Sequence, residues 1–223
     1  MRSLMFIVSI LFSFSLSAKV MNNGNIYVVD GFIQSTIGVE SVLQTNTKYH
    51  RSCGLVSLLL VSNFYNVEQT GDTHYYLRNT TEAKAAIDRL YTYLGYKPEQ
   101  GQRPITGTTM LKSIPVNKWG WSTSVKANGD NSVPTNKQTM HQAFANDQPV
   151  ILALNGDNPY NPLYNSGANN HEINKHIVVF YAHTVQQDMY YFFDPYYGEV
   201  HTVPGSEIGH LVQGNLPYLR AVP

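Results

Sequence analysis

The chain contains one cysteine, Cys53, in the run YHRSCGLVSLLLVSNFY at residues 49–65. A thiolate attacks carbonyl carbon, but it needs a base to take and return the proton and a third group to orient that base. His176 and Asp194 supply those types. The stretch KHIVVFYAHTVQQDMYYFFDPYYG reads as two strands joined by a tight connection around HTVQQ. A turn centred near Val185 puts His176 directly opposite Asp194, with their Cβ atoms about 4.5–5.5 Å apart. Pro195 and Gly198 then end the second strand and leave the Asp194 side chain near a rim. Nucleophile, base and orienter follow in the chain order Cys53, His176, Asp194.

Each residue alone has a plainer reading. An isolated cysteine is commonly a buried, inert core residue. A strand histidine is commonly half-buried, and an aspartate before Pro commonly caps a turn. Their joint occurrence points to acyl-transfer chemistry. The helix that follows Cys53 adds to this, because Ser52 is placed to cap it. Cys53 would then sit on the first turn, where unpaired N–H groups and the helix dipole favour a thiolate.

The other histidines fit less well. HEINKH at residues 171–176 spaces its histidines five apart in an Asn-rich loop, whereas a zinc-peptidase helix needs them four apart. No metal or other cofactor is expected. His50 is close enough in sequence to tune the thiol, or is a solvated loop residue. His183 and His201 read as strand-surface residues.

The elements that must position these groups divide the chain. NIYVVDGFI (residues 25–33) reads as an early strand, and 53–64 as a helix with a broad apolar face. Residues 81–95 form the clearest helix, with Thr81 as cap, Ile87, Leu90 and Leu94 on one face, and Gly95 as stop. GQRPITGTTMLKSIP reads as a turn feeding a short helix, and 136–146 as another helix. From residue 149 the pattern changes to strands: PVILAL, KHIVVFYAH, MYYFFD and GEVHTV are rich in β-branched and aromatic residues. Helices first and strands last imply an α+β arrangement. Residues 155–175, with seven Asn, two Gly and two Pro, read as a long loop. Loops of that length often carry function.

Bulk properties bound the class. Arg2, the apolar stretch Leu4 to Phe12 and the small residues before Lys19 have the layout of a secretory signal peptide, residues 1–18, cleaved after Ala18 or Ser17. The stretch is short for a bilayer span, which needs roughly 20 apolar residues. About 205 residues remain, enough for a single domain, 19–223. Lys plus Arg and Asp plus Glu are 15 each, so loss of Arg2 leaves a net charge of about one negative. No basic run is present, and nucleic acid and anionic membrane are poor partners. A secreted or periplasmic destination follows, with no membrane span after cleavage. There a single thiol forms no intramolecular disulfide: it pairs between chains, is buried, or reacts.

The residues that carry a family resemblance are Cys53-Gly54, Ser57-Leu58, Val61 and Asn63-Phe64-Tyr65, followed by AFANDQPVILAL, HIVVFYAH and YYFFDPYYG. Over residues 40–203 these resemble the papain-like cysteine peptidases, most closely the branch of bacteriocin-leader-processing (double-glycine) peptidases and their exported relatives. The resemblance implies a papain-like fold, in which an N-terminal helical half with a nucleophile helix packs against a C-terminal antiparallel sheet. It implies a catalytic Cys53, His176 and Asp194, with a peptide or protein as substrate. Leu55 replaces the usual proline of the branch. A glutamine expected about six residues before the cysteine to help form the oxyanion hole is here Thr47, and Gln44 lies nine before. Tyr160, Tyr164 and Asn174 of the long loop are expected at the substrate rim. The same triad also serves transamidation, deamidation and cell-wall amide hydrolysis, and the fold is also compatible with a binding module that has lost catalysis.

Overall fold

The computed structural model describes residues 25–36, 52–65, 80–97, 113–126, 137–162, 164, 175–211 and 218–222. In these the chain is α+β. Strand β1 (Ile26–Val28) leads into α1 (Phe32–Thr36), then α2 (Cys53–Phe64) and α3 (Thr80–Tyr93). A π-helical turn, Ser113–Lys118, precedes β2 (Ser122–Lys126), and α4 (Lys137–Ala145) precedes β3 (Val150–Asn155). β4 (Lys175–Thr184), β5 (Met189–Asp194) and β6 (Glu199–Pro204) are followed by α5 (Ile208–Leu211) and β7 (Tyr218–Val222). All strand pairs are antiparallel, in the order β2-β7-β3-β4-β5-β6, with β1 pairing the far half of β4.

α2 is the centre of the core. Residues 53 to 62 are all buried, so the helix must be apolar on every side, and Leu55, Val56, Leu58, Leu59, Leu60 and Val61 make it so. α3 buries Ala83, Ile87 and Leu90 along one stripe. Gly95, at φ 73°, ends it as a left-handed cap while the Tyr96 N–H bonds the Tyr91 carbonyl at 2.9 Å. The helix begins at Thr80, which places Thr81 inside its first turn and not at the cap.

The sheet packs on α2 through β4, and the buried runs of β3 and β4, 150–154 and 176–183, are continuous and not alternating. Both faces of these strands are therefore covered. β2 and β7, which the sequence reading did not separate from loop, extend the sheet beyond β3. β1 is shorter than NIYVVDGFI suggested, because Gly31, at φ 78°, turns the chain into α1. Among the described residues no helix is long and apolar enough to cross a membrane.

The β4–β5 hairpin departs from the expected register. Its turn spans Val185 to Asp188, giving Thr184 opposite Met189 and Ala182 opposite Tyr191. Between Phe180 and Ala182 the ladder shifts by one residue, after which Phe180 faces Phe192 and Val179 faces Phe193. Tyr181 is the extra residue of a β-bulge. The Val29 N–H bonds its carbonyl at 2.8 Å, and its ring stacks on Phe32 at 5.5 Å. One step further along this register Asp194 falls opposite Val178, diagonal to His176 and not directly across from it.

Candidate functional site

Cys53, His176 and Asp194 come together at one end of α2. Cys53 is its first residue and Ser57 the next residue on the same face, one turn on. The Ser57 hydroxyl donates to the Ile177 carbonyl at 3.3 Å. That bond pins the face of α2 carrying the thiol against the strand position adjoining His176.

His176 Nε2 and Asp194 Oδ1 are 2.7 Å apart, with the side chains 1% and 0% exposed. Asp194 is fully buried and does not lie at a rim. The tight turn after it explains why: the Gly198 N–H bonds the Asp194 carbonyl at 2.9 Å, and Glu199 is already back in register opposite. Oδ1 also accepts the Tyr196 N–H at 2.6 Å. The aspartate thus caps its own turn and binds the imidazole with the same oxygen. The Tyr196 ring stands perpendicular to the His176 ring at 6.5 Å.

Burial disfavours a charged ring at His176. The Asp194 carboxylate outweighs it through charge and hydrogen bond, with smaller contributions of the same kinds from the Cys53 thiol, and the pKa is raised to about 9. Nδ1, the nitrogen that Asp194 does not hold, is buried and has no hydrogen-bond partner among the described residues. Loose nucleophile–base contacts are common in the absence of substrate. Cys53 itself is 6% exposed.

Ser52 precedes α2 but makes no side-chain cap. Its hydroxyl instead shares a buried 2.6 Å hydrogen bond with Tyr91 of α3. The first intrahelical bond runs from the Val56 N–H to the Ser52 carbonyl at 2.8 Å. Helix geometry leaves the Cys53 and Gly54 N–H groups without an intrahelical acceptor, next to the sulfur.

Of the expected rim residues, Tyr160 and Tyr164 are exposed. Gln44, Thr47 and Asn174 lie outside the described residues, as do His50, His171 and residues 1–18. Asparagines of the 155–162 segment serve to hold it: Asn161 Nδ2 donates to the Asn155 carbonyl at 3.0 Å, and Asn158 Oδ1 accepts the Tyr160 N–H at 2.8 Å. Asn158 and Asn161 are buried.

His183 is not a surface residue. It is 2% exposed on the side chain, stacked between His141 at 4.5 Å and Tyr190 at 4.0 Å, with Nε2 3.0 Å from Asp188 Oδ1. His201 is 30% exposed on the side chain and reaches toward Asp194. Sequence reasoning missed Ser57, Tyr91, Tyr196 and His201 as neighbours of the site. Ser57 had a signal in its four-residue spacing from Cys53, and Tyr196 in the Asp-Pro-Tyr-Tyr-Gly turn. A scan of protein-family models and a search of curated proteins each find no match to this sequence.

Proposed function

We propose that the chain is an exported cysteine peptidase of the papain-like type, a single domain over residues 19–223, secreted or periplasmic. It cleaves a peptide or amide bond through Cys53, His176 and Asp194. The observation that carries this reading is the buried 2.7 Å pair of His176 and Asp194, set beside the first residue of a helix that begins with the only cysteine.

In this reading His176 takes the thiol proton on Nδ1, and the resulting thiolate attacks the substrate carbonyl. The Cys53 N–H at the helix start supports the oxyanion, with Gln44 or Thr47 as a second donor. The imidazolium returns the proton to the leaving amine, and an acyl-thioenzyme remains. Water, deprotonated by His176, attacks the thioester carbon, the C–S bond breaks, and the proton on His176 restores the thiol as the acid product leaves. Asp194 holds Nε2 throughout and supports the charged ring. Tyr160 and Tyr164 are exposed aromatic rings that a peptide can stack on.

A second reading is favoured by the 6% exposure of Cys53: a binding module with an inert thiol. The two part in the pH dependence of iodoacetamide alkylation. A peptidase alkylates in the native state at pH values where free cysteine is slow, and His176→Ala removes that reactivity. It also cleaves members of a peptide library, with Cys53→Ala silent by mass spectrometry. Native protection of the thiol at every pH, released only by denaturant, sinks the enzyme reading.

A further inference from the structure

Asp194 is satisfied on one oxygen only. Oδ1 takes both His176 Nε2 and the Tyr196 N–H, whereas Oδ2 is buried and has no hydrogen-bond partner among the described residues. Facing it at 3.9 Å is His201 Nε2, also buried and also without a hydrogen-bond partner among the described residues. A pair of complementary orphans is costly, because each has lost water and gained nothing. At that separation the gap is too wide for a direct hydrogen bond.

The strand register accounts for their meeting. Phe192 pairs with His201, and Asp194 with Glu199. His201 is therefore diagonal to Asp194 on β6, as His176 is diagonal to it on β4. All three side chains share one face of the sheet. The His201 ring is held by stacking on Phe192 at 5.6 Å and by Tyr197 at 6.3 Å. Glu199, directly opposite Asp194, is exposed.

We propose that His201 is a positioning residue for the reaction. Its Nε2–H closes onto Asp194 Oδ2, fixes the plane of the carboxylate, and so keeps Oδ1 aimed at His176. An ionised carboxylate accepts hydrogen bonds on both oxygens, so a second donor restrains its rotation. The inference rests on the proposed roles of Cys53, His176 and Asp194.

The test is the rate of Cys53 alkylation by iodoacetamide against pH in the wild type and in His176→Ala, His201→Phe and His201→Gln. His201→Phe keeps the stack on Phe192 and removes the donor; it should slow the reaction at neutral pH about tenfold, the scale of one hydrogen bond to a charged group. Its acid limb should move to higher pH. His201→Gln, which keeps an N–H donor, should restore most of the rate. A Phe variant that tracks the wild type while His176→Ala departs from it overturns the inference alone; if His176→Ala also tracks the wild type, the proposed function fails. Nitrogen-15 imidazole spectra of the wild type decide the matter even if the Phe variant does not fold. A proton on His201 Nε2, with a signal that shifts in Asp194→Asn, supports the inference, and a neutral ring protonated on Nδ1 alone overturns it.

Discussion

Asp194 lies on the same face of the sheet as His176 because Tyr181 takes no partner on β5. Carried inward from the turn without interruption, the pairing of Thr184 with Met189 would set Asp194 opposite Val179. Its side chain would then point away from His176. The one-residue shift at Tyr181 restores the match, and the 2.7 Å contact follows. The bulge is held from outside the hairpin, by the Val29 N–H and the Phe32 ring.

Phe32→Ala should therefore do two things. Loss of a fully buried Phe should cost about 3–5 kcal/mol by denaturant titration. Cys53 alkylation near neutral pH should also fall, since the hold on the bulge is weakened. Lost stability with unchanged thiol reactivity would mean that the bulge stands without that ring.

Asp194→Asn keeps the shape of the side chain and removes its charge. Thiol reactivity should drop by about a hundredfold or more, as when the orienting carboxylate of a triad is neutralised. The pH dependence of stability should change as well. His176 has a raised folded pKa, so its contribution is complete below 6.5 and is lost as pH rises through about 9. Wild-type stability should therefore decline across that window, by a few kcal/mol at most at about 1.4 kcal/mol per pKa unit. In Asp194→Asn the decline should be absent. Urea titrations at pH 6, 7.5 and 9 would be roughly enough to resolve it.

The hydroxyls of Ser52 and Tyr91 form a buried pair beside the thiol. Ser52→Ala and Tyr91→Phe each break this bond, and each should cost about 1–3 kcal/mol. The double variant should cost less than the two singles summed, a coupling that a double-mutant cycle measures. Strict additivity would show that the two hydroxyls do not depend on one another.

Acid should act first at the stack of Tyr27, His141 and His183, where α4 meets β1 and β4. Burial, helped by His183 and Lys137 and opposed by Asp188, lowers the His141 pKa to about 4. Burial also lowers His183, against the pull of Asp188. A depressed histidine contributes fully above 6.5 and loses that contribution as pH falls toward about 4. His141→Phe retains a flat ring between Tyr27, at 4.4 Å, and His183 while removing one titration. The variant should lose less stability than the wild type between pH 6.5 and 4, read from thermal unfolding. An unchanged acid slope would exclude His141 as its source.

Local order was legible where one interaction dominates. α2 and β3 to β6 were each foreseen to within a residue or so, because a strongly apolar run, or one rich in β-branched and aromatic residues, leaves few alternatives. β2 and β7 were not, since STSVK and YLRAV are short and become strands only by pairing with each other and with β3. The sequence alone determined the three residue types, their chain order and the helix that starts at Cys53. Only the tertiary structure decided that Tyr181 bulges, that Ser52 turns to Tyr91 and not to its own helix, that His183 is buried, and that His201 faces the second oxygen of Asp194. Each of these depends on contacts between segments far apart in the chain, and a side-chain period of two turns a slip of one residue into a change of face.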